Sequence, residues 1–246
     1  LWIEPLMWTI IGAVMGSFYN VVIYRLPRKI PLSNPRYSFC TSCGKPVEWY
    51  DNIPILSYFL LKGKCRHCGE KISPRYPIVE VLTAILFLMG SIEYGYPEKL
   101  LYMAVISSLI IIAFVDLEFY IILDTCVAIL AVAGITWKWL DGELMQALLT
   151  GGVVLGLTFL LARFSRGLGY GDVKLMGAMG TLLGPYGFIF ALFTASVVGA
   201  ITAGVLIALG KIDLKSKIPF GPFLAMGTVL SLHFSKKFFS FLTGGV

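Results

Sequence analysis

The stretch "GLGYGDVKLM", residues 167–176, places an aspartate at the start of a strongly apolar part of the chain. Gly169, Gly171 and Asp172 form a Gly-x-Gly-Asp motif, and the residues that follow are mostly apolar. An ionised carboxylate in such surroundings costs free energy. The motif therefore predicts the beginning of a membrane helix that carries a carboxyl group in an unfavourable setting.

The whole chain is apolar in the same way. Of its 246 residues, 57% are hydrophobic and 14% are charged, and the mean hydropathy is +0.82. These values predict an all-α polytopic membrane protein and exclude an ordinary soluble domain. Because a span needs roughly 20 residues, we expect eight spans, with seven as the minimum, from apolar runs at 6–24, 77–92, 100–115, 119–139, 144–162, 173–184, 186–209 and 218–235.

Lysine and arginine predict the orientation, because short loops rich in them stay in the cytoplasm. Ten of the 20 basic residues lie between the first two runs. The same side then receives Arg163, Arg166, Lys174, Lys211, Lys215 and Lys217, and the opposite side receives Lys99, Lys138, Lys236 and Lys237. We interpret the net charge of +6 as a signal of topology, with membrane lipid as the partner, and expect no nucleic acid.

The composition changes between Arg25 and Pro77, where prolines, charges and four of the five cysteines replace the apolar runs. We predict a first transmembrane helix at 1–24, a cytoplasmic loop domain at 25–76 and a membrane domain at 77–246. The first apolar run lacks a preceding basic region and a small-residue cleavage site, so we expect a retained span rather than a signal peptide.

The loop carries Cys-x-x-Cys-Gly twice, at Cys40 and Cys43 and at Cys65 and Cys68. Two residues between thiolates let both bind one ion, and four thiolates make a tetrahedral zinc site. Two disulfides or four free thiols are the alternatives, but a cytoplasmic location disfavours disulfides. A site with four cysteines has no open position for water, so we expect this zinc to stabilise the fold of the loop.

Two acids stand out in the predicted topology. Asp116 ends the third span and Asp172 begins the sixth, both at the cytoplasmic face. Of two neighbouring carboxyl groups in a low dielectric, one stays protonated while the other is ionised, and such a pair can activate water against a peptide carbonyl. The pattern therefore indicates aspartic-protease chemistry. The glycines before Asp172 are expected to leave room for a substrate backbone.

Other interpretations of these acids stay open. Asp172 and Asp116 can each be a charge at a helix end that faces headgroups. Asp124 competes with Asp116 as the partner of Asp172. Eight residues of helix would separate the two by about 12 Å, so only one of them could reach Asp172, and we favour Asp116. A proton-conducting transporter would use the same acids but needs them near the bilayer midplane. A membrane scaffold whose zinc loop docks a partner is the fourth option.

Several stretches in order resemble the bifunctional type IV prepilin peptidases, which belong to the Gly-x-Gly-Asp intramembrane aspartic proteases. They are "GSFYNVVIYRLP" at 16–27, "DNIPILSY" at 51–58, "KGKC" at 62–65, "RYPIVE" at 75–80, Asp116, "GYGDVKLMG" at 169–177 and "IPFGPFLA" at 218–225. The chain departs from the family at Leu123, where proline is frequent before the aspartate that matches Asp124.

The resemblance implies an enzyme of the bacterial inner membrane whose essential aspartates are Asp116 and Asp172. Its substrates would be type IV prepilins or the pseudopilins of type II secretion. Such enzymes cut the leader after a glycine on the cytoplasmic side and methylate the new amino terminus with S-adenosylmethionine. The segment 77–246 would be the peptidase domain, and the cysteine loop would serve methyl transfer. A peptidase without methylation, similar to archaeal preflagellin peptidases, is the alternative that the loop disfavours.

Overall fold

The computed structural model describes residues 2–164, 168–213 and 216–242, with the side chains of residues 236, 237 and 242 left out. Within these ranges the regular structure is helical, which confirms the all-α prediction. The α-helices are α1 (Ile3–Arg25), α2 (Leu56–Leu60), α3 (Arg75–Glu93), α4 (Glu98–Phe119), α5 (Asp124–Leu140), α6 (Leu144–Phe164), α7 (Tyr170–Ala208) and α8 (Gly221–Leu242).

Among the described residues, five helices are long and apolar enough to cross a membrane, namely α1, α3, α4, α6 and α7, so the prediction of a membrane protein is confirmed. The α5 helix has 17 residues, fewer than the roughly 20 of a typical span. The number of eight spans stays a prediction. Arg166 and Lys215, which we assigned to the cytoplasmic side, and the side chains of Lys236 and Lys237 lie outside the described part of the chain.

Residues 1–111 form one compact unit, in which α1 packs closely on α3. The two helices come closest at two glycines of α1, which have no side chains to separate them. A Cβ atom on Gly16 would lie 2.7 Å from the Cα of Glu80, and one on Gly12 would lie 2.8 Å from the carbonyl oxygen of Thr83. Glycines spaced four apart let two membrane helices approach in this way. The packing places Glu80 directly beside α1, next to the segment that carries the cysteines.

Residues 112–246 form the second unit, and its central element is the long helix α7. Gly184 interrupts α7 with φ +67° and ψ −176°, and Pro185 follows. Glycine adopts this backbone conformation readily, whereas other residues do not. The sequence break between the runs 173–184 and 186–209 is therefore a real break in the helix.

The two halves of α7 run in opposite directions. The first half of α7 runs parallel to α5, since residue numbers increase in the same direction along both helices, from the Asp124–Lys174 ion pair to the close approach of Gly134 and Leu182. The second half of α7 runs antiparallel to α8. Ser231 Oγ donates to the carbonyl oxygen of Gly187 at 2.8 Å, and Phe223 lies beside Gly199. α8 begins beside Asp116, and the segment after α4 packs on Gly171 at the start of α7. The second half of α7 therefore returns towards the end at which α7 begins.

The junction of α4 and α5 differs from the expectation. We placed Asp116 and Asp124 on continuous helix, but α4 ends at Phe119 and α5 begins at Asp124. Tyr120 has φ +57°, a left-handed conformation that stops a helix. The apolar residues 120–123 conceal this break in the sequence. The helical spacing of about 12 Å between the two acids is therefore wrong.

Candidate active site and metal centre

Asp116 lies near the end of α4 and is only 6% exposed. Its Oδ2 atom accepts a hydrogen bond of 2.8 Å from the N–H of Gly221, the first residue of α8. A Cβ atom at Gly221 would lie 2.7 Å from the same oxygen. The start of a helix favours a nearby negative charge. The position of the Asp116 carboxyl group is thus set by a backbone contact that requires glycine.

Asp172 lies in the first turn of α7 and is partly buried. Gly169 is the residue before the helix, and a Cβ atom there would lie 3.0 Å from Asp172 Oδ2. Ile122, which follows the end of α4, lies against Gly171, the residue before Asp172. The start of α7, which carries Asp172, therefore lies beside the end of α4, which carries Asp116, although the two acids are 56 positions apart in the sequence.

The two glycines of the motif have different surroundings. Gly169 is exposed beside the carboxylate of Asp172. A Cβ atom on Gly171 would lie 3.0 Å from the Cβ of Ile122. Gly171 is therefore needed for packing against the segment between α4 and α5, and the expectation of space for a substrate applies to Gly169 alone.

Asp124 forms an exposed ion pair with Lys174. Its Oδ1 accepts a hydrogen bond of 2.8 Å from Lys174 Nζ, and the two side chains are 73% and 53% exposed. Exposed ion pairs of this kind contribute little to stability. The structure thus separates a buried acid, Asp116, from a solvated one, Asp124.

The four loop cysteines meet at one point. Their Sγ atoms all lie within 4.8 Å of one another, and those of Cys40 and Cys68 are 3.9 Å apart. Zn–S bonds of about 2.3 Å in a tetrahedron place the sulfur atoms about 3.8 Å apart, so this set fits the ion. Backbone N–H groups of Cys68 and His67 donate to Cys65 and lower the pKa of its thiol to about 7, which favours the thiolate that binds metal.

The two cysteine pairs sit in similar turns. The N–H of Gly44 donates to the carbonyl oxygen of Cys40 at 2.9 Å, and that of Gly69 donates to Cys65 at 3.0 Å. Both glycines have φ +71°, which non-glycine residues rarely adopt. The repeated Cys-x-x-Cys-Gly pattern therefore forms a repeated knuckle in the structure.

Gly221 is a residue of the site whose role the sequence does not reveal. It lies within "IPFGPFLA", which carries part of the resemblance, but the motif alone does not show which residue it would contact. The same holds for Asn20 in "GSFYNVVIYRLP", which is 1% exposed.

The sequence matches two known families along its length. The Bacterial Peptidase A24 N-terminal domain matches residues 10–94, and the Type IV leader peptidase family matches residues 103–204. The chain therefore belongs to the type IV leader peptidase family, as its motifs indicated.

Curated relatives cover nearly the whole chain. The type 4 prepilin-like proteins leader peptide-processing enzyme of Escherichia coli O78:H11 (strain H10407 / ETEC) is 34% identical over 95% of this chain and 95% of its own length. The prepilin leader peptidase/N-methyltransferase of Bacillus subtilis (strain 168) is 33% identical over 94% and 95%. The enzyme with the same name from Burkholderia pseudomallei (strain 1026b) is 30% identical over 96% and 87%. These matches confirm the prediction of a peptidase combined with an N-methyltransferase. No solved structure matches the chain.

Proposed function

We propose that this protein removes the leader peptide of type IV prepilins or pseudopilins with Asp116 and Asp172, and then methylates the new amino terminus. The observation that carries the proposal is the placement of these two acids. They come from α4 and α7, and the packing of Ile122 on Gly171 brings the end of α4 to the start of α7. The names of the curated relatives support prepilins as the substrates.

The chemistry follows from the two carboxyl groups. The ionised one takes a proton from water as the water oxygen attacks the scissile carbonyl carbon. The protonated one donates to the oxygen that becomes negative. The proton then passes to the leaving amine as the C–N bond breaks. Because Gly169 adds no side chain beside Asp172, an extended substrate backbone can approach the carboxylate there.

The membrane arrangement proposed here has eight spans. The helices α1, α3, α4, α5, α6 and α8 supply six, and the antiparallel halves of α7 supply two. Lysine and arginine place the loop domain 25–76 and the acid pair of the peptidase domain 77–246 at the cytoplasmic face of the bacterial inner membrane. Lys99 and Lys138, assigned to the opposite side, are paired with Glu4 and Glu143, which reduces their net charge there.

The loop domain serves the second reaction. S-adenosylmethionine supplies a methyl group on a positively charged sulfur. When bound, it would transfer this methyl group to the new terminal amine, which would lose a proton, and a neutral thioether would remain. The residues Cys40, Cys43, Cys65 and Cys68 would hold a structural zinc ion, which keeps the loop folded for this step.

The position of the acids also weighs against the transporter hypothesis. A proton relay requires carboxyl groups in the interior of the span. Asp116 is the fourth residue from the end of α4, and Asp172 lies in the first turn of α7. Both acids are therefore at helix ends.

The proposal is tested with the purified protein in detergent, a full-length prepilin and S-adenosylmethionine labelled on its methyl group. Cleavage is followed by mass spectrometry and methylation by label on the new terminus. We expect cleavage first and label only on the cleaved product. Absence of cleavage by folded protein would contradict the proposal, and cleavage without label would restrict it to a peptidase.

A further inference from the structure

A cavity of about 270 Å³ lies within the first unit, between the ends of α1 and α3 and the cysteine loop. Its volume is just under the roughly 300–1,000 Å³ of pockets that hold ligands of drug size. Its wall includes Ser17, Asn20, Tyr24, Tyr58 and Glu80, together with Cys40 and Cys65. Those of its lining residues that the structure describes all precede residue 81, so Asp116 and Asp172 are not among them.

Asn20 gives the cavity an acceptor without a partner. Its Nδ2 donates to the carbonyl oxygens of Gly16 at 3.3 Å and Tyr76 at 3.1 Å, which fixes the orientation of the amide. Its Oδ1 is buried and has no hydrogen-bond partner among the described residues. A buried acceptor left without a donor is costly and uncommon. Asn20 is therefore arranged to receive a donor from a bound molecule.

Glu80 gives the cavity a carboxyl group that the structure holds in place. It is 7% exposed, and its Oε2 accepts a hydrogen bond of 2.6 Å from the N–H of Ile55. Ile55 has φ +65°, a conformation that is strained for a β-branched residue. The chain thus retains backbone strain at the residue that fixes Glu80. A carboxylate held in this way can face a positive charge on a ligand.

Aromatic side chains complete the wall. Tyr24 packs edge-on against Phe39, with ring centroids 6.2 Å apart, and Tyr58 and Tyr76 also line the cavity. Gly63 lies against Tyr58, since a Cβ atom there would be 3.1 Å from its Oη. Aromatic rings bind flat heterocycles and attract cations. The guanidinium groups of Arg28 and Arg75 lie over the rings of Tyr24 and Tyr76, so the aromatic wall offers a place for a nucleobase, and the charge that faces a positively charged sulfur comes from Glu80.

We infer that this cavity binds the methyl donor S-adenosylmethionine, with Glu80 facing the sulfonium and Asn20 Oδ1 accepting a hydrogen bond from an amino group of the donor. The inference rests on the proposed methyl transfer and extends it to a site. The ligand is the one molecule in the proposed reactions that combines a cation, a nucleobase and amino groups. The neighbouring metal centre would then keep the cavity wall in shape.

The test compares two ligands on the full chain in detergent. S-adenosylmethionine is positively charged at sulfur, whereas its product S-adenosylhomocysteine is a neutral thioether at that atom. Glu80→Gln keeps an acceptor for the N–H of Ile55 and removes the charge. We expect it to weaken the binding of S-adenosylmethionine at least about tenfold and that of the product less than about threefold.

A second variant and a control accompany it. Asn20→Leu removes the acceptor and should weaken both ligands about equally, by about tenfold. Glu143→Gln changes a residue of the second unit that is not among the described residues lining the cavity, and it should leave both affinities unchanged. The thermal midpoint of each variant reports whether it is folded.

One measurement needs no variant. Irradiation of the wild-type protein with labelled S-adenosylmethionine should attach label to peptides within residues 17–80. Label confined to other peptides would overturn the inference. So would a Glu80→Gln variant that binds both ligands as the wild type does, or whose affinity falls equally for both. The proposed function is judged separately. If wild-type protein cleaves and methylates prepilin but carries the label on other peptides, the proposed function stands and only the assignment of this cavity is wrong.

Discussion

The N–H of Gly221 donates a hydrogen bond of 2.8 Å to Oδ2 of Asp116, across 105 positions of sequence. This contact fixes one carboxyl group of the proposed pair against the start of α8. Asp116 therefore depends on an element far away in the sequence for its position.

Gly221→Ala should impair cleavage. The new Cβ atom would lie 2.7 Å from Asp116 Oδ2, so the carboxyl group or α8 must move. A displacement of this kind in an active site lowers activity by roughly ten- to a hundredfold. The measurement is the rate of prepilin cleavage in detergent. Gly156→Ala is the control, because a Cβ atom there meets nothing within 4 Å. Equal rates for both variants would show that the Gly221 contact does not position Asp116 for catalysis.

Loss of the metal should affect methylation more than cleavage. Cys43→Ser removes one of the four sulfur ligands, and we expect zinc content to fall and methyl incorporation to drop at least about tenfold. Zinc per chain is measured by atomic emission, beside the labelled assay. Cys126→Ala, which changes the one cysteine outside the loop, should keep both the zinc content and the methyl incorporation of the wild type. Full methylation by a metal-free Cys43→Ser protein would contradict a structural role for zinc.

The contact between α1 and α3 should be sensitive to the smallest added group. Gly16→Ala places a Cβ atom 2.7 Å from the Cα of Glu80, a backbone atom that cannot move independently. We expect a loss of about 1–3 kcal/mol in the free energy of unfolding. The thermal midpoint in detergent reports it. Gly95→Ala, where a Cβ atom meets nothing within 4 Å, should leave the midpoint close to that of the wild type, and a similar fall in both would refute the packing argument.

The ion pair of Asp124 and Lys174 should matter little. Both side chains are more than half exposed, and pairs of this kind contribute about 0–1 kcal/mol. We expect Asp124→Asn to keep the wild-type midpoint and to cleave prepilin at a rate within about threefold of the wild type. A large loss of cleavage would instead place Asp124 in the catalytic machinery.

Much of this arrangement could be predicted from the sequence, because it depends on local patterns. The apolar runs predict the long helices, and Gly184 with Pro185 predicts the interruption of α7. The doubled Cys-x-x-Cys-Gly predicts the cluster of four sulfur atoms, since each half is set by its own turn.

The rest depends on contacts between distant segments. No glycine or proline marks the break at Tyr120, so the runs on either side looked almost continuous. The partner of Asp116 is a backbone N–H, which no side-chain pattern reveals. Whether the acceptor of Asn20 has a partner becomes visible only when α1, α3 and the loop are seen together.

The central claim is that Asp116 and Asp172 perform the cleavage, and it is tested most directly by single-turnover cleavage of prepilin by Asp116→Asn and Asp172→Asn, with Asp124→Asn as the matched control. Asparagine keeps an oxygen that can accept the N–H of Gly221, so the fold should persist. We predict that each of the two variants loses at least about a thousandfold in rate at an unchanged thermal midpoint. Cleavage near the wild-type rate by either one would contradict the account.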